Sequence, residues 1–346
     1  MDILHNTRPA ALNGLENVPF PSIDADAPMA LLRRCPAAAQ TPLVSAISIA
    51  AKAGVAEVWI KDERGRMGLG SFKALGAAYV IAHDAEQGRA KGATYVTASA
   101  GNHGMSVAAG AAAFGAQAVV YIAQTVPEAF AARLADQGAD VVRAGDTYEA
   151  SMAAAEKAAV DNGWRLLSDS SWEGYMDYPY RVMEGYLALM AEAIEQLEQP
   201  PSHMFLQAGV GGLAGSCAAL ARQVWGDVPR IIVVEPAFAA ALYTSIAEGK
   251  PTEGGGPVSN MGRLDCKMPS LIALKGLARD ADDFVLLTEA EAEAGADAVM
   301  TAGWPSTASG AAGVAALLGV SGQQRQGLEL AEDARVLCIL SEGPEA

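Results

Sequence analysis

From Val58 onward the chain alternates short β-branched runs with longer Ala-rich runs that stop at glycine. Strand-like runs fall at 58–63, 93–97, 118–122, 140–143, 204–208, 231–235 and 336–340. Helix-like runs fall at 74–83, 102–114, 127–137, 148–161, 181–198 and 216–225, and the third opens on Pro127 and closes at Gly138. This βαβα order predicts an α/β fold with a mainly parallel sheet. At 346 residues, 51% of them hydrophobic and only 6% aromatic, the chain is long enough for two domains and suits close packing of helices on sheets. Residues 1–40 are rich in Pro and Ala with weak periodicity, which predicts an irregular arm with short helices. The most apolar stretch, 107–123, is broken by Gln117 and reads as a helix followed by a buried strand, not as a membrane span.

The net charge of −16 comes without any basic run, so a nucleic-acid partner is not expected. An anionic ligand must then be held by local donors. The four cysteines, Cys35, Cys217, Cys266 and Cys338, lie far apart with no CxxC pair. That pattern predicts free thiols, with no zinc, redox or other metal site. Met1-Asp2-Ile3-Leu4-His5 lacks a basic head followed by an apolar run, so no secretory leader and no membrane anchor are expected, and the cytoplasm is the expected location.

Chemistry concentrates at strand–loop–helix junctions. In Gly70-Ser71-Phe72-Lys73-Ala74-Leu75-Gly76 a lysine follows an aromatic ring at the start of a helix. Burial there would disfavour the ammonium form and lower the Lys73 pKa, leaving a nucleophilic amine able to form a reversible imine with an aldehyde. Gly209-Val210-Gly211-Gly212-Leu213-Ala214-Gly215 follows a strand and opens a helix, so its N–H groups can cradle a phosphate. Glu235 ends the next strand where a ribose-binding acid of a dinucleotide fold would sit. On this segment a dinucleotide, another phosphate ligand and a purely structural turn all remain open. Thr97-Ala98-Ser99-Ala100-Gly101-Asn102-His103-Gly104 is a second such junction. Ser99 can cap the helix or donate to a carboxylate, and Asn102 can donate to a phenolate. His103 reads more simply as a buried helix residue than as a base. Ser341, directly after a buried strand, is placed to meet a ring nitrogen at the carboxyl edge of a sheet.

Taken in order, Gly70-Ser71-Phe72-Lys73, Ser99-Ala100-Gly101-Asn102-His103-Gly104, Gly209–Gly215 and Ser341-Glu342-Gly343 resemble the fold-type II pyridoxal-phosphate enzymes, the tryptophan synthase β-like superfamily. Lys61–Leu69, Trp172-Glu173-Gly174-Tyr175 and Gln207–Gly211 are similar to the diaminopropionate ammonia-lyases within it, beside the threonine and serine dehydratases. The resemblance implies a two-domain fold, each domain an open mainly parallel sheet flanked by helices. Residues 1–92 with 192–346 would form the large cofactor-binding domain, and 93–191 a small mobile one. It implies pyridoxal 5'-phosphate as cofactor, a homodimer, and α,β-elimination on a small β-substituted amino acid such as 2,3-diaminopropionate, giving a 2-oxo acid and ammonia. Dehydration of threonine, serine or 3-hydroxyaspartate, and β-replacement, are the alternatives on the same fold. Lys73 would hold the cofactor and remove the α-proton, with Phe72 beside it. Asn102 would contact the ring hydroxyl, Ser341 the pyridine nitrogen, and Gly209, Val210, Gly211, Gly212 and Leu213 the phosphate. Ser99, Ala100, Gly101 and His103 would receive the substrate. Asp169 and Tyr175 are the candidates for a leaving-group acid. Two departures stand out: Ala100 occupies the place of an Asp that serves the D-isomer in the ammonia-lyases, and Pro305–Ala311 lacks an acid found in many relatives. No regulatory extension is expected after Ala346.

Overall fold

Two sheets organise the chain, and the smaller one is built wholly from strands between Thr94 and Leu166. A computed structural model describes residues 1–9 and 12–344. In chain order the elements are β1 (Asp2–His5), α1 (Asp26–Leu32), β2 (Leu43–Ser45), α2 (Ile47–Ala53), β3 (Glu57–Asp62), a 3-10 turn (Glu63–Gly68), α3 (Lys73–Glu86), β4 (Thr94–Ala98), α4 (Asn102–Ala113) and β5 (Gln117–Ile122). There follow α5 (Glu128–Asp136), β6 (Ala139–Arg143), α6 (Tyr148–Asn162), β7 (Arg165–Leu166), α7 (Asp177–Gln196), β8 (His203–Gln207), α8 (Gly212–Trp225), β9 (Arg230–Pro236) and α9 (Ala241–Glu248). The chain continues with α10 (Leu271–Asp280), β10 (Asp283–Leu287), α11 (Glu289–Thr301), α12 (Ala312–Gly319), α13 (Gln323–Gly327) and β11 (Arg335–Leu340).

The large sheet runs β1-β10-β9-β8-β11-β3-β2, parallel except for its two edge strands; the small sheet runs β6-β5-β4-β7, all parallel. Strands β8, β9 and β11 are buried on both faces, which is why they read as continuous apolar runs without alternation. Since β3, β8 and β11 run parallel, the loops after Asp62, Gln207 and Leu340 leave the sheet at the same edge. That edge gathers the Lys73 junction, the glycine loop and Ser341.

The expected irregular arm needs correction. Residues Asp2–His5 form an antiparallel edge strand on β10, with Leu4 opposite Phe284, a pairing too short to leave a periodic signal. The helix expected at 181–198 begins at Asp177, because Pro179 falls in the first turn, where no N–H is required. The helix expected at 216–225 likewise starts earlier, at Gly212. Among the described residues no helix is long and apolar enough to cross a membrane.

A buried ionic cluster fixes the turn that delivers α3. Arg66 donates from Nε and Nη2 to both oxygens of Glu63 at 2.7 Å, and from both terminal nitrogens to Glu192 of α7 at 2.8 Å. Lys61, at the end of β3, reaches Glu192 at 2.7 Å, the Thr41 carbonyl at 2.8 Å and Gln196 at 2.9 Å. Two cations and two carboxylates thus balance inside a region closed to water. Burial pulls the Lys61 amine below its ordinary pKa, with Glu192 opposing. Directly beyond Arg66 the chain turns through Met67, Gly68 and Gly70, all at positive φ, and starts α3 at Lys73. Truncating Glu192 to Ala would leave Lys61 and Arg66 buried with one carboxylate between them, a loss of about 3–5 kcal/mol. Urea unfolding of Glu192→Ala checks this; a loss below about 1 kcal/mol, the level of an exposed pair, would mean the cluster does not anchor the turn.

Candidate active site

Lys73 is the first residue of α3, and its amine contacts the carboxylate of Asp169, which follows β7. The amine also lies 5.2 Å from the Phe72 ring centre and 5.7 Å from that of Tyr186 on α7. The two rings meet edge to face at 4.9 Å. Glycines create this geometry. A Cβ at Gly76 would lie 2.6 Å from the Tyr186 ring, and one at Gly185 would lie 2.7 Å from the Leu75 carbonyl. Helices α3 and α7 therefore cross in backbone contact, and the tyrosine ring fills the space beside the lysine.

The expected depression of the Lys73 pKa is not found in the chain alone. Burial does push the amine down, but the Asp169 carboxylate outweighs it and holds the lysine well above its ordinary value. Burial pushes Asp169 up in turn, and the Lys73 charge draws it well below the usual carboxylate range. The pair is thus a partly buried ammonium–carboxylate contact.

The loop carrying Asp169 is held from both sides. The Tyr175 hydroxyl donates to the Leu166 carbonyl at 2.8 Å and accepts from the Ser168 N–H at 3.1 Å, while its ring stacks on Trp172 at 4.4 Å. Tyr175 is therefore a brace for this turn, with its hydroxyl engaged on backbone. On the other side the Ser171 hydroxyl meets that of Ser270 at 2.8 Å and accepts from the Ile272 N–H at 2.9 Å. The Ser270 N–H donates to Val210 of the glycine loop at 3.0 Å.

That loop has the form of an anion cup. Gly211 caps α8 at φ +99° with no side-chain partner, and the first-turn N–H groups of the helix point outward. A Cβ at Gly209 would lie 3.1 Å from Cys266 Sγ, and one at Gly211 would lie 3.0 Å from Ala273, so only bare backbone fits. Leu213 continues the first turn and is buried. The ring of Tyr186 also flanks Gly212, so the cup and the lysine share one wall.

The dinucleotide alternative fails at Glu235. Its carboxylate accepts from the N–H groups of Leu242 and Tyr243 at 2.8 and 2.7 Å, tying it to the start of α9. Burial raises its pKa to about 8 against those two bonds. No ribose can use a carboxylate so engaged.

The Ser99 loop approaches from the small sheet. Ser99 does not cap α4 from the N-cap position, which Gly101 occupies; its hydroxyl accepts from the Gly101 N–H at 3.3 Å. A Cβ at Gly104 would lie 2.2 Å from the Ser99 carbonyl, so the loop folds tightly over the helix start beneath Ala100. His103 is buried; its Nε2 donates to the Leu167 carbonyl at 2.9 Å and burial keeps it neutral, which fits the simpler of its two readings. The Asn102 amide donates to the Glu342 carboxylate, which also accepts from Thr307. Ser341 is buried next to it, its carbonyl accepting from the Phe72 N–H at 3.0 Å. Sequence reasoning gave no role to Tyr186, Glu342, Thr307, Arg263 or Cys266. Tyr186 and Cys266 surround the lysine and the cup, while Arg263 stands against Gly101 with its guanidinium 5.6 Å from the Phe130 ring. Spacing to Gly185 was the one signal that could have exposed Tyr186.

A partly buried amine, a backbone cup for a phosphate and a serine at the sheet edge fit a phosphorylated pyridine aldehyde. The chain matches the family described as pyridoxal-phosphate dependent enzyme over residues 35–342, and it belongs to that family. Its cofactor is pyridoxal 5'-phosphate and its fold is fold type II. It is 32% identical to the diaminopropionate ammonia-lyase of Escherichia coli over 337 residues, 88% of this chain and 84% of that one. To the diaminopropionate ammonia-lyase of Salmonella typhimurium it is 33% identical over 273 residues, 71% of this chain and 68% of that one. The crystal structure of the Escherichia coli enzyme in complex with an aminoacrylate-PLP azomethine reaction intermediate matches with a TM-score of 0.89 at 29% identity, over 99% of this chain and 93% of that one.

The Glu235 carboxyl generates a pH prediction. Its folded pKa of about 8 lies above its ordinary value of 4.5, so its contribution is fully present below 4.5 and is lost as pH rises through about 8. The melting temperature should fall across that window, and Glu235→Gln should flatten the fall. Equal slopes in both proteins would contradict it.

Proposed function

We propose that this enzyme is an ammonia-lyase acting on 2,3-diaminopropionate or a similarly small β-substituted amino acid, releasing ammonia and a 2-oxo acid. The observation that carries the reading is the Lys73–Asp169 contact, set between the glycine cup and the Ser99 loop. When bound, the cofactor withdraws electrons from the substrate's α-carbon and so makes its proton removable. Lys73 anchors it and handles the α-proton, and the Asp169 carboxylate positions that amine through its charge. Gly209, Val210, Gly211, Gly212 and Leu213 bind the phosphate through backbone N–H groups, and Phe72 packs against Tyr186 to keep water from the amine. Ser341 offers a neutral hydroxyl to the ring nitrogen, and Asn102 turns from Glu342 to the ring hydroxyl. Ser99, Ala100 and Gly101 receive the substrate carboxylate, with His103 supporting the loop from below.

Residues 93–191 act as the small mobile domain over 1–92 and 192–346. In support, every strand of the small sheet, from Thr94 to Leu166, lies inside the range 93–191. The likeness to the fold-type II enzymes supports a homodimer. Ala100 favours a second reading, dehydration of L-threonine or L-serine, because the dehydratases also lack an acid there.

A panel of L- and D-diaminopropionate, L-threonine, L-serine and 3-hydroxyaspartate, scored for ammonia and 2-oxo acid, separates these. L-Diaminopropionate should lead, and the D-isomer should be roughly 10²–10⁴-fold slower because no carboxylate stands at position 100 to serve its opposite face. Equal turnover of both isomers would show a second acid at work, and dominance of threonine would favour the dehydratase.

Lys73→Ala should lose the visible band of the bound cofactor together with elimination. Asp169→Asn should keep that band and lose about 10²–10⁴ in kcat. A Lys73→Ala protein that still shows the band in the absence of substrate would remove the anchor assignment.

A further inference from the structure

The Tyr186 hydroxyl is fully buried and, among the described residues, makes no hydrogen bond of ordinary geometry, although Lys73 is near enough to act on it and its ring is the one that Gly76 and Gly212 leave room for. An orphaned buried hydroxyl costs about 1–3 kcal/mol, so a chain that needed only the ring would do better with phenylalanine. The amine of Lys73 lies 5.7 Å from the centre of this ring while it is held on Asp169. The amine thus stands between the carboxylate and the phenol, and it acts on the Tyr186 hydroxyl as well as on Asp169. The two stations differ in chemistry. Asp169 accepts from an ammonium; a phenol can donate its O–H to the lone pair of a neutral amine.

We propose that the Tyr186 hydroxyl is a second docking station for Lys73, which holds the amine in its neutral, reactive state by donating to its nitrogen. Tyr186 is then a positioning residue acting through Lys73, and the proposal rests on the reading of Lys73 as the cofactor's anchor. The titratable groups that face the amine are Asp169, Tyr186, His103 from α4, Tyr148 from α6 and Cys266 before α10. Burial raises Tyr186 and the Cys266 thiol, the latter to about 12, and lowers His103, while Tyr148 is half-exposed. Near neutrality only Asp169 among them carries a charge. A phenol kept protonated is available as a donor. Parking on Asp169 protects the lysine as an ammonium, and docking on Tyr186 presents its lone pair along a fixed direction, beside the cup that holds the phosphate.

The test compares wild type with Tyr186→Phe, both as full chains stripped of cofactor. Pyridoxal 5'-phosphate is added at a series of pH values, and the rate of appearance of the lysine-bound band is followed. Removing a donor to the neutral amine raises the Lys73 pKa, so the midpoint of the pH–rate curve should move up by about one unit and the neutral-pH rate should fall roughly tenfold. Melting temperature without cofactor should stay equal or rise, which a merely structural hydroxyl would not combine with a shifted midpoint. An unshifted midpoint would overturn the proposal. Weaker cofactor binding at every pH with the midpoint fixed would also overturn it, by assigning the hydroxyl to the phosphate. A Lys73→Ala control that still forms the band would refute the anchor reading itself, an outcome distinct from either of these.

Discussion

Helix α3 can present Lys73 where it does only because α7 crosses it with no side chain between them. Gly76 and Gly185 face each other at the crossing, and a Cβ at Gly185 would meet the Leu75 carbonyl, Tyr79 and Gly76 at 2.7, 2.9 and 3.0 Å. Backbone contact of this kind leaves the helices no freedom to slide. The α4 side is similar, since a Cβ at Gly110 would touch Ile81 at 3.0 Å. The Arg66–Glu192 bonds then lock the approach to α3 onto the same α7. Glycine in a helix interior is unfavourable by roughly 0.5–1 kcal/mol against alanine. Here that cost is offset by the position it secures for a single amine and the tyrosine ring next to it.

With the amine fixed, its charge state is decided by competition. Burial disfavours the ammonium. An opposite charge at 4 Å is worth about 4 kcal/mol at an effective dielectric near 20, or about three pKa units. The Asp169 contact is closer than that, so attraction wins and the lysine stays protonated. A junction motif alone suggested the reverse, because a sequence shows the burial of a residue more readily than its partner 96 positions away.

The same limit explains what could be read from the chain in advance. Strands buried on both faces, such as β8, β9 and β11, announce themselves as apolar runs, and their parallel order puts Lys73, Gly211 and Ser341 at one edge. The edge strands β1 and β2 and the Ala-rich helices α11 and α12 carry no such contrast, and they escaped. In the site, residues on glycine-bounded junctions were legible because their backbone geometry is local. Tyr186, Arg263 and Thr307 were not, since each sits in an ordinary-looking segment and acquires its place only through tertiary contact. Glu235 shows the converse: a position that fits a dinucleotide pattern along the sequence is consumed by the N–H groups of α9.

Asp169 illustrates how position in the chain and position in the mechanism separate. It follows the last strand of the small sheet, and Tyr175 ties its turn to Leu166 there. Yet Ser171 joins the same turn to Ser270, and Ser270 joins Val210 of the phosphate cup. The acid thus stands on the seam between the two sheets, braced from each. On the proposed reading of Ser99–Gly101 as the substrate loop, that loop belongs to the small sheet alone, at the tip of β4, while the Asp169 turn is bonded to both sheets. An Ala at position 100 fits that arrangement, because the carboxylate that meets Lys73 comes from the seam and not from the Ser99 loop.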